Sequence, residues 1–386
     1  MAPRAADRRP LNVLIAGGGV AGLEAMLALK RLGGERVYVG LLAEEPQFWY
    51  RPLATAEPFG LGTVHGLDLA DIADAAGAEL ALGRLASVNA DRRVARTSAG
   101  AELSYDALLI AIGARPVAAV RGAFTFRGLA DSDAFVRLLD ELDEDTARRI
   151  VFALPGGVGW PLPLYELALQ TAARFAKTAV EIVLVTHEEA PLELFGRVAS
   201  ERMAALLAER GIEIRAGTYP VAFAGGTVEL KPQDSLEADI VVAMPRLQPP
   251  AIPGVPTDGQ GFVPADEHGR VRGLDVVFAA GDITTFPVKQ GGLAAQQADA
   301  AAETIAAMAG ADIEPEPFRP VLRGLILTGG RPLYARAELD RPGSHTLIAP
   351  EALWWPPGKI VGRHLSPFLA ERASSLVTTE YEKLPR

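Results

Sequence analysis

The sequence predicts an α/β fold: two Rossmann-like three-layer units followed by a small C-terminal α+β domain. Three observations carry this expectation. A glycine-rich turn at Gly17–Gly22 lies between an apolar run and an Ala/Leu-rich helical stretch. The same strand–turn–helix pattern recurs near residues 150–176. Beyond residue 317 the pattern changes to hairpin-like runs. At 386 residues the chain exceeds one ordinary core, and 49% apolar composition supplies ample burial.

Val13-Leu14-Ile15-Ala16 reads as a buried strand, and Leu23–Leu32 has helical spacing. Between them Gly17, Gly19 and Gly22 form G-x-G-x-x-G. Gly17 permits a tight turn, Gly19 lets the backbone approach a pyrophosphate, and Gly22 lets helix and strand pack closely. Val20 and Ala21 then lie at the positive end of the helix, where free N–H groups favour phosphate. Arg36–Leu42 reads as the next strand. The acid expected about 20 residues past the glycines would bind ribose hydroxyls. That position holds Ala43, so the acid is displaced to Glu44 or absent. The Gln47–Leu53 run is either aromatic core or a loop along an extended ligand, from which Arg51 reaches a phosphate or a ring edge.

Leu85–Asn89, Val94–Thr97 and Glu102–Ser104 read as an inserted β-meander. Tyr105–Gly113 returns as a buried parallel strand, and Ser132–Leu142 is an amphipathic helix. Ile150–Leu154, Tyr165–Ala176 and Glu181–Val185 make the second βαβ unit. Its fingerprint is damaged: Gly157 and Gly159 are present, but Leu162 between Pro161 and Pro163 takes the third glycine position. A proline can open a helix but removes an N–H donor that would hold phosphate. Arg197–Glu209, Gly211–Arg215, a Val221–Pro232 hairpin and Ala238–Met244 complete this unit. Pro245–Pro256 reads as a crossing linker. Val276–Asp282 is a strand ending in Gly281-Asp282, and Gly291-Gly292 opens the Leu293–Met308 helix. The Trp354–Pro357 turn and a short helix near Pro367–Leu376 close the chain.

Composition excludes several function classes. With no cysteine, disulfides, thiolate catalysis and cysteine-ligated metal are absent. The five histidines show no metal-ligand spacing, so no metal site is expected. A net charge of −10 argues against a nucleic-acid partner. The first ten residues lack an apolar signal region, and no stretch reads as a membrane span. The expected location is therefore cytoplasmic, with peripheral contact at the inner membrane face open. Residues 318–386 hold ten Lys/Arg and six Asp/Glu, so this segment carries +4 against −14 for the rest. It is a solvated surface or a face for an acidic partner or membrane.

Three motifs together resemble the two-dinucleotide-binding-domain flavoproteins of the pyridine nucleotide-disulfide oxidoreductase superfamily. They are GGGVAG at Gly17–Gly22, YDALLIAIGARP at Tyr105–Pro116 and VVFAAGDITTFPVKQGGLAAQQA at Val276–Ala298. The likeness is to the branch of sulfide:quinone oxidoreductase and type II NADH dehydrogenase. It implies an FAD-binding domain from 11–118 and 246–317, a second NAD(P)-binding-like domain at 119–245, and a C-terminal domain at 318–386. It implies that Gly17, Gly19 and Gly22 take the FAD pyrophosphate and that Ala111 and Gly113 lie along the FAD. Gly281 and Asp282 would hold the ribityl or pyrophosphate region. Lys289, Gln290 and Gly291 would sit at the pyrimidine edge, and Glu166 near the flavin on the nicotinamide side. Otherwise Glu166 is a helix-surface acid.

The implied activity is FAD-dependent oxidoreduction through flavin N5, from a small donor, with NAD(P)H as a candidate, to a quinone or similar acceptor. Lys289 would stabilise negative charge on the reduced ring, while Glu166, Tyr50 and Trp160 would face the donor or acceptor. The redox cysteines of sulfide oxidation are missing. Two alternatives stay open: an NAD(P)H-dependent reductase of a ferredoxin-like carrier docking on the basic C-terminal segment, and a non-catalytic flavin-binding subunit. A homodimer is the assembly suggested by analogy.

Overall fold

The computed structural model describes residues 9–143, 148–232, 234–340 and 346–372. Two five-stranded parallel sheets dominate it. In the first, Val277–Ala279, Ala107–Ile110, Leu11–Ala16, Val37–Ala43 and Glu79–Leu82 lie side by side in that order. The second runs Phe124–Thr125, Ile240–Ala243, Arg149–Leu154, Glu181–Thr186 and Ile212–Arg215. Ala107–Ile110 in the first sheet and Ile240–Ala243 in the second are apolar throughout and fully buried, as interior parallel strands under helical layers must be.

Seven α-helices are described. They are α1 (Val20–Gly33), α2 (Leu69–Ala76), α3 (Ser132–Asp143), α4 (Leu162–Arg174), α5 (Arg197–Glu209), α6 (Gly291–Met308) and α7 (Leu365–Arg372). α1 and α6 pack on each other, and their sequences explain the close approach. Ala21, Gly22, Ala25 and Ala28 of α1 are buried, as are Ala294, Ala295, Ala298, Ala301 and Ala302 of α6. Small side chains bring the two backbones together over the glycine turn.

The meander forms over the residues the alternation indicated, Leu85–Asn89, Val94–Thr97 and Glu102–Ser104. Three elements differ from expectation. The Val221–Pro232 hairpin is a three-stranded sheet, because Asp234–Glu237 adds to Tyr219–Ala224 and Thr227–Lys231. The Pro245–Pro256 linker contains a strand: Arg246–Gln248 pairs antiparallel with Arg115–Val117, so both crossings between the two sheets run as one ribbon. α4 starts at Leu162, ahead of the expected Tyr165, because proline is tolerated in a first turn.

A three-stranded antiparallel sheet, Val321–Ile326, Leu333–Glu338 and Leu347–Ala349, follows α6. The closing helix is described over Leu365–Arg372, and Leu376-Val377 of its expected apolar face lie outside the described residues. Among the described residues no helix is long and apolar enough to cross a membrane.

Candidate flavin site

The Gly17–Gly22 turn joins the Leu11–Ala16 strand to α1. Gly17 adopts φ +124°, and a Cβ there would lie 2.2 Å from the Ala111 carbonyl oxygen. A Cβ on Gly22 would lie 1.8 Å from the Gly17 carbonyl oxygen. Both glycines are therefore required by the chain's own packing. Gly19 differs. Its backbone is extended (φ −88°, ψ −170°), a conformation open to any residue, and a Cβ there would meet nothing within 4 Å. No contact within the chain requires glycine at 19. A ligand approaching bare backbone at the start of α1 would, and a pyrophosphate fits that opening.

The segments expected to line the ligand converge on this turn. Ala111 N–H donates to the Ala16 carbonyl, placing Ala111 and Gly113 (φ +68°) beside the first glycine. Gly281, at φ +82°, sits between the Ala21 and Ala294 methyl groups, each 3.4 Å from where its Cβ would be. Gly281 is thus wedged between α1 and α6, and its N–H donates to Gln297 Oε1 at 2.7 Å. Asp282 follows. Burial pushes its carboxyl up, and Lys289 acts against that shift.

Lys289 Nζ donates to the carbonyls of Asp282 and Thr284 and lies 4.0 Å from the centre of the Phe262 ring. Burial lowers its ammonium to about 8, opposed by Asp282 and Asp258. The Gln290 side chain is the N-cap of α6: its Oε1 accepts from Leu293 N–H at 2.9 Å, and its Nε2 donates to the Arg323 carbonyl. Gln290→Ala is expected to cost about 1 kcal/mol by loss of this cap, measured by urea unfolding. Glu44 is exposed, and the Arg51 guanidinium is largely exposed and 4.0 Å from Glu45.

The second glycine turn is built differently. The first helix begins four residues after its strand ends, from Ala16 to Val20, whereas the second takes eight, from Leu154 to Leu162. The longer turn folds onto the 287–289 segment. A Cβ on Gly159 would lie 2.4 Å from the Pro287 carbonyl oxygen and 2.9 Å from Lys289 Cγ, and Lys289 N–H donates to the Gly159 carbonyl. Arg246 Nε donates to the Gly156 carbonyl at 2.7 Å. Trp160 packs its ring 6.0 Å from that of Phe195. Glu188, just past the second strand of this unit, accepts from the Tyr165 hydroxyl and from Thr186 Oγ1, so it turns inward.

Glu166 is not a helix-surface acid. It is fully buried on α4 and joins three parts of the chain. Thr55 Oγ1 donates to it at 2.8 Å, Leu327 N–H at 3.0 Å, and Lys359 Nζ to both oxygens at 2.7 and 2.6 Å. Burial lowers the Lys359 ammonium and Glu166 opposes that shift. Beside this pair the Tyr50 hydroxyl accepts from Ile360 N–H at 3.1 Å, and burial pushes it up to about 12. Tyr50 is 3% exposed, so its role is to hold the 359–360 segment. Ile360 in turn packs at Gly291, at the start of α6. Sequence reasoning missed Lys359 and Thr55, whose only signal was residue type.

Comparison with known proteins matches residues 11–304 to the pyridine nucleotide-disulphide oxidoreductase family. The chain belongs to that family. It is an FAD-dependent oxidoreductase. An NADH dehydrogenase-like protein of Mycobacterium tuberculosis is 27% identical over 292 residues, covering 70% of this chain and 72% of that protein. The ferredoxin reductase component of a chlorobenzene dioxygenase from a Cupriavidus strain is 29% identical over 299 residues, 73% of this chain and 69% of that protein. In fold, the chain resembles the sulfide:quinone oxidoreductase of Aquifex aeolicus with a TM-score of 0.80 at 20% identity, over 88% of this chain and 86% of that one. The family's fold accounts for the open first turn. The disulphide in the family's description has no counterpart here, since the chain has no cysteine.

Proposed function

We propose that this flavoprotein takes electrons from a small donor other than a nicotinamide nucleotide and passes them to a quinone or similar small acceptor. The contrast between the two glycine turns carries the reading. The first is open at Gly19, and the second is filled at Gly159 by Pro287 and Lys289. A dinucleotide at the second turn would have to displace the segment that carries Lys289. When bound, FAD supplies hydride and single-electron transfer through N5.

The chain's own residues bind and orient it. In this reading Gly17, Gly19 and Gly22, with the N–H groups of Val20 and Ala21, hold the pyrophosphate, and Ala111, Gly113, Gly281 and Asp282 line its course. Gly291 and Gln290 place the positive end of α6 toward the electron-rich edge of the ring, and Lys289 adds positive charge. Glu44 and Arg51 stand at the rim. Glu166 and Tyr50 fix the wall formed by Lys359 and Ile360. The sheets support a division into 11–118 with 246–317, then 119–245, then 318–386.

The test is an anaerobic titration of the FAD-loaded protein followed at the flavin band. The expected outcome is no bleaching by NADH or NADPH on a timescale of seconds, with rapid reoxidation of dithionite-reduced protein by a soluble quinone. Fast bleaching by either nucleotide would overturn the choice of donor, and failure of quinone to reoxidise the flavin the choice of acceptor.

A second reading rests on the ferredoxin reductase relatives. The acceptor is then an acidic carrier protein docked on the C-terminal segment. Turnover with a carrier should fall steeply as salt rises, whereas turnover with a neutral quinone should not. Peripheral contact with a membrane has its own support in Trp355, which is 86% exposed in the same segment.

A further inference from the structure

Behind the flavin turn three ionisable side chains from distant parts of the chain meet in the interior: Glu24 of α1, Asp299 of α6 and His364 just before α7. We propose that they form a site for one divalent first-row transition-metal ion, which clamps the C-terminal segment onto α1. One ligand atom from each lies within 4.8 Å of those of the other two. Ligands held about 2.1 Å from an ion sit roughly 3–4 Å apart, so a small inward movement closes the set.

The Asp299 and Glu24 carboxyls interact directly, and one oxygen of the set is left without a partner. Asp299 is 9% exposed, and its Oδ1 is buried without a hydrogen bond. The His364 side chain is 7% exposed, with Nε2 3.8 Å from that oxygen, too long for a hydrogen bond. A buried carboxylate oxygen left unpaired opposite an imidazole nitrogen is costly unless something joins them. Glu24, fully buried, adds a second carboxylate, and two carboxylates side by side away from water require a cation or a shared proton. Arg363 pairs with Glu303 at 2.7 Å and offsets part of the Asp299 charge without bonding to it.

The surroundings are built to hold Glu24 in place. Its two oxygens accept from His364 N–H and Leu365 N–H, each at 2.7 Å, the outer-shell support that orients a ligand. Gly362 allows the approach, since a Cβ there would lie 2.1 Å from Glu24 Oε2. Two carboxylates with one imidazole suit manganese, iron, cobalt or zinc, and offer too few oxygens for calcium. The expectation of no metal site rests on histidine spacing, which is blind to carboxylates 65 and 340 positions from His364.

The test uses the full-length, FAD-loaded protein, stripped with a chelator and then dialysed against Zn2+ or Mn2+. Elemental analysis should find one ion per chain, and the melting temperature should rise with metal concentration. Asp299→Asn and His364→Gln keep shape and should each lower metal affinity at least about tenfold, with flavin content and far-UV dichroism unchanged. Absence of saturable uptake, or uptake equal to wild type in both variants, overturns the site. So does a protein that takes up no ion and gains stability as the solution is acidified, because Glu24 and Asp299 would then share a proton.

Discussion

Gly19→Val is expected to give a folded protein that has lost most of its FAD. The backbone at 19 is extended and its Cβ direction is empty, so the added side chain strains nothing in the chain itself. It enters the space assigned to the pyrophosphate. Losing that close approach and its charge-assisted N–H contacts should weaken FAD by about a hundredfold or more. Gly22→Ala has the opposite character. Its methyl would overlap the Gly17 carbonyl oxygen at 1.8 Å, which forces the turn from the helix and should destabilise the apoprotein by about 3 kcal/mol or more. The flavin-to-protein absorbance ratio and the melting temperature of the apoprotein separate the two effects. A Gly19→Val protein that keeps a full complement of FAD would remove the pyrophosphate from this turn.

Glu166→Gln and Lys359→Met should each destabilise the protein by about 3–5 kcal/mol, because each leaves its partner charge buried and unpaired. The side chains are 1% and 8% exposed, so water does not screen the loss. The double variant Glu166→Gln/Lys359→Met should recover much of that cost. Leu327 N–H can still donate to the Gln carbonyl oxygen, the Thr55 hydroxyl can turn to accept from the Gln amide, and no charge is stranded. Urea unfolding of the four proteins forms a double-mutant cycle. Costs that simply add in the double variant would mean that the pair does not act as a unit.

The contrast between these sites shows what a sequence carries. The first glycine turn is a local object. Strand, turn and helix are contiguous, so patterning alone exposes it, although Leu42, Leu69 and Ala111 close around the turn from farther along the chain. The same reasoning met a limit at Gly159. As a string, Gly157-Val158-Gly159 looks like a worn copy of the first turn. In space its vacancy is taken by the Pro287 carbonyl, and nothing near Gly159 in the sequence announces that neighbour. Glu166 was placed near the flavin by resemblance, but its partners Thr55, Leu327 and Lys359 stand 111, 161 and 193 residues away. Tyr50 was expected on the working face, yet its hydroxyl holds Ile360, 310 residues on. Elements and their order follow from local periodicity, whereas the polar contacts between layers follow from topology.

The two crossings between the sheets have an evolutionary consequence. Val117 lies opposite Arg246 in the antiparallel ribbon, so the chain departs and returns at one point. Everything between those residues is, in effect, a cassette plugged into a continuous host through a single socket. Lineages could trade such cassettes while the host sheet stays unaltered. The Glu166–Lys359 pair then acts as the lock on the cassette. An exchanged cassette that lacks a buried acid to meet Lys359 should seat poorly, however well its ends are joined.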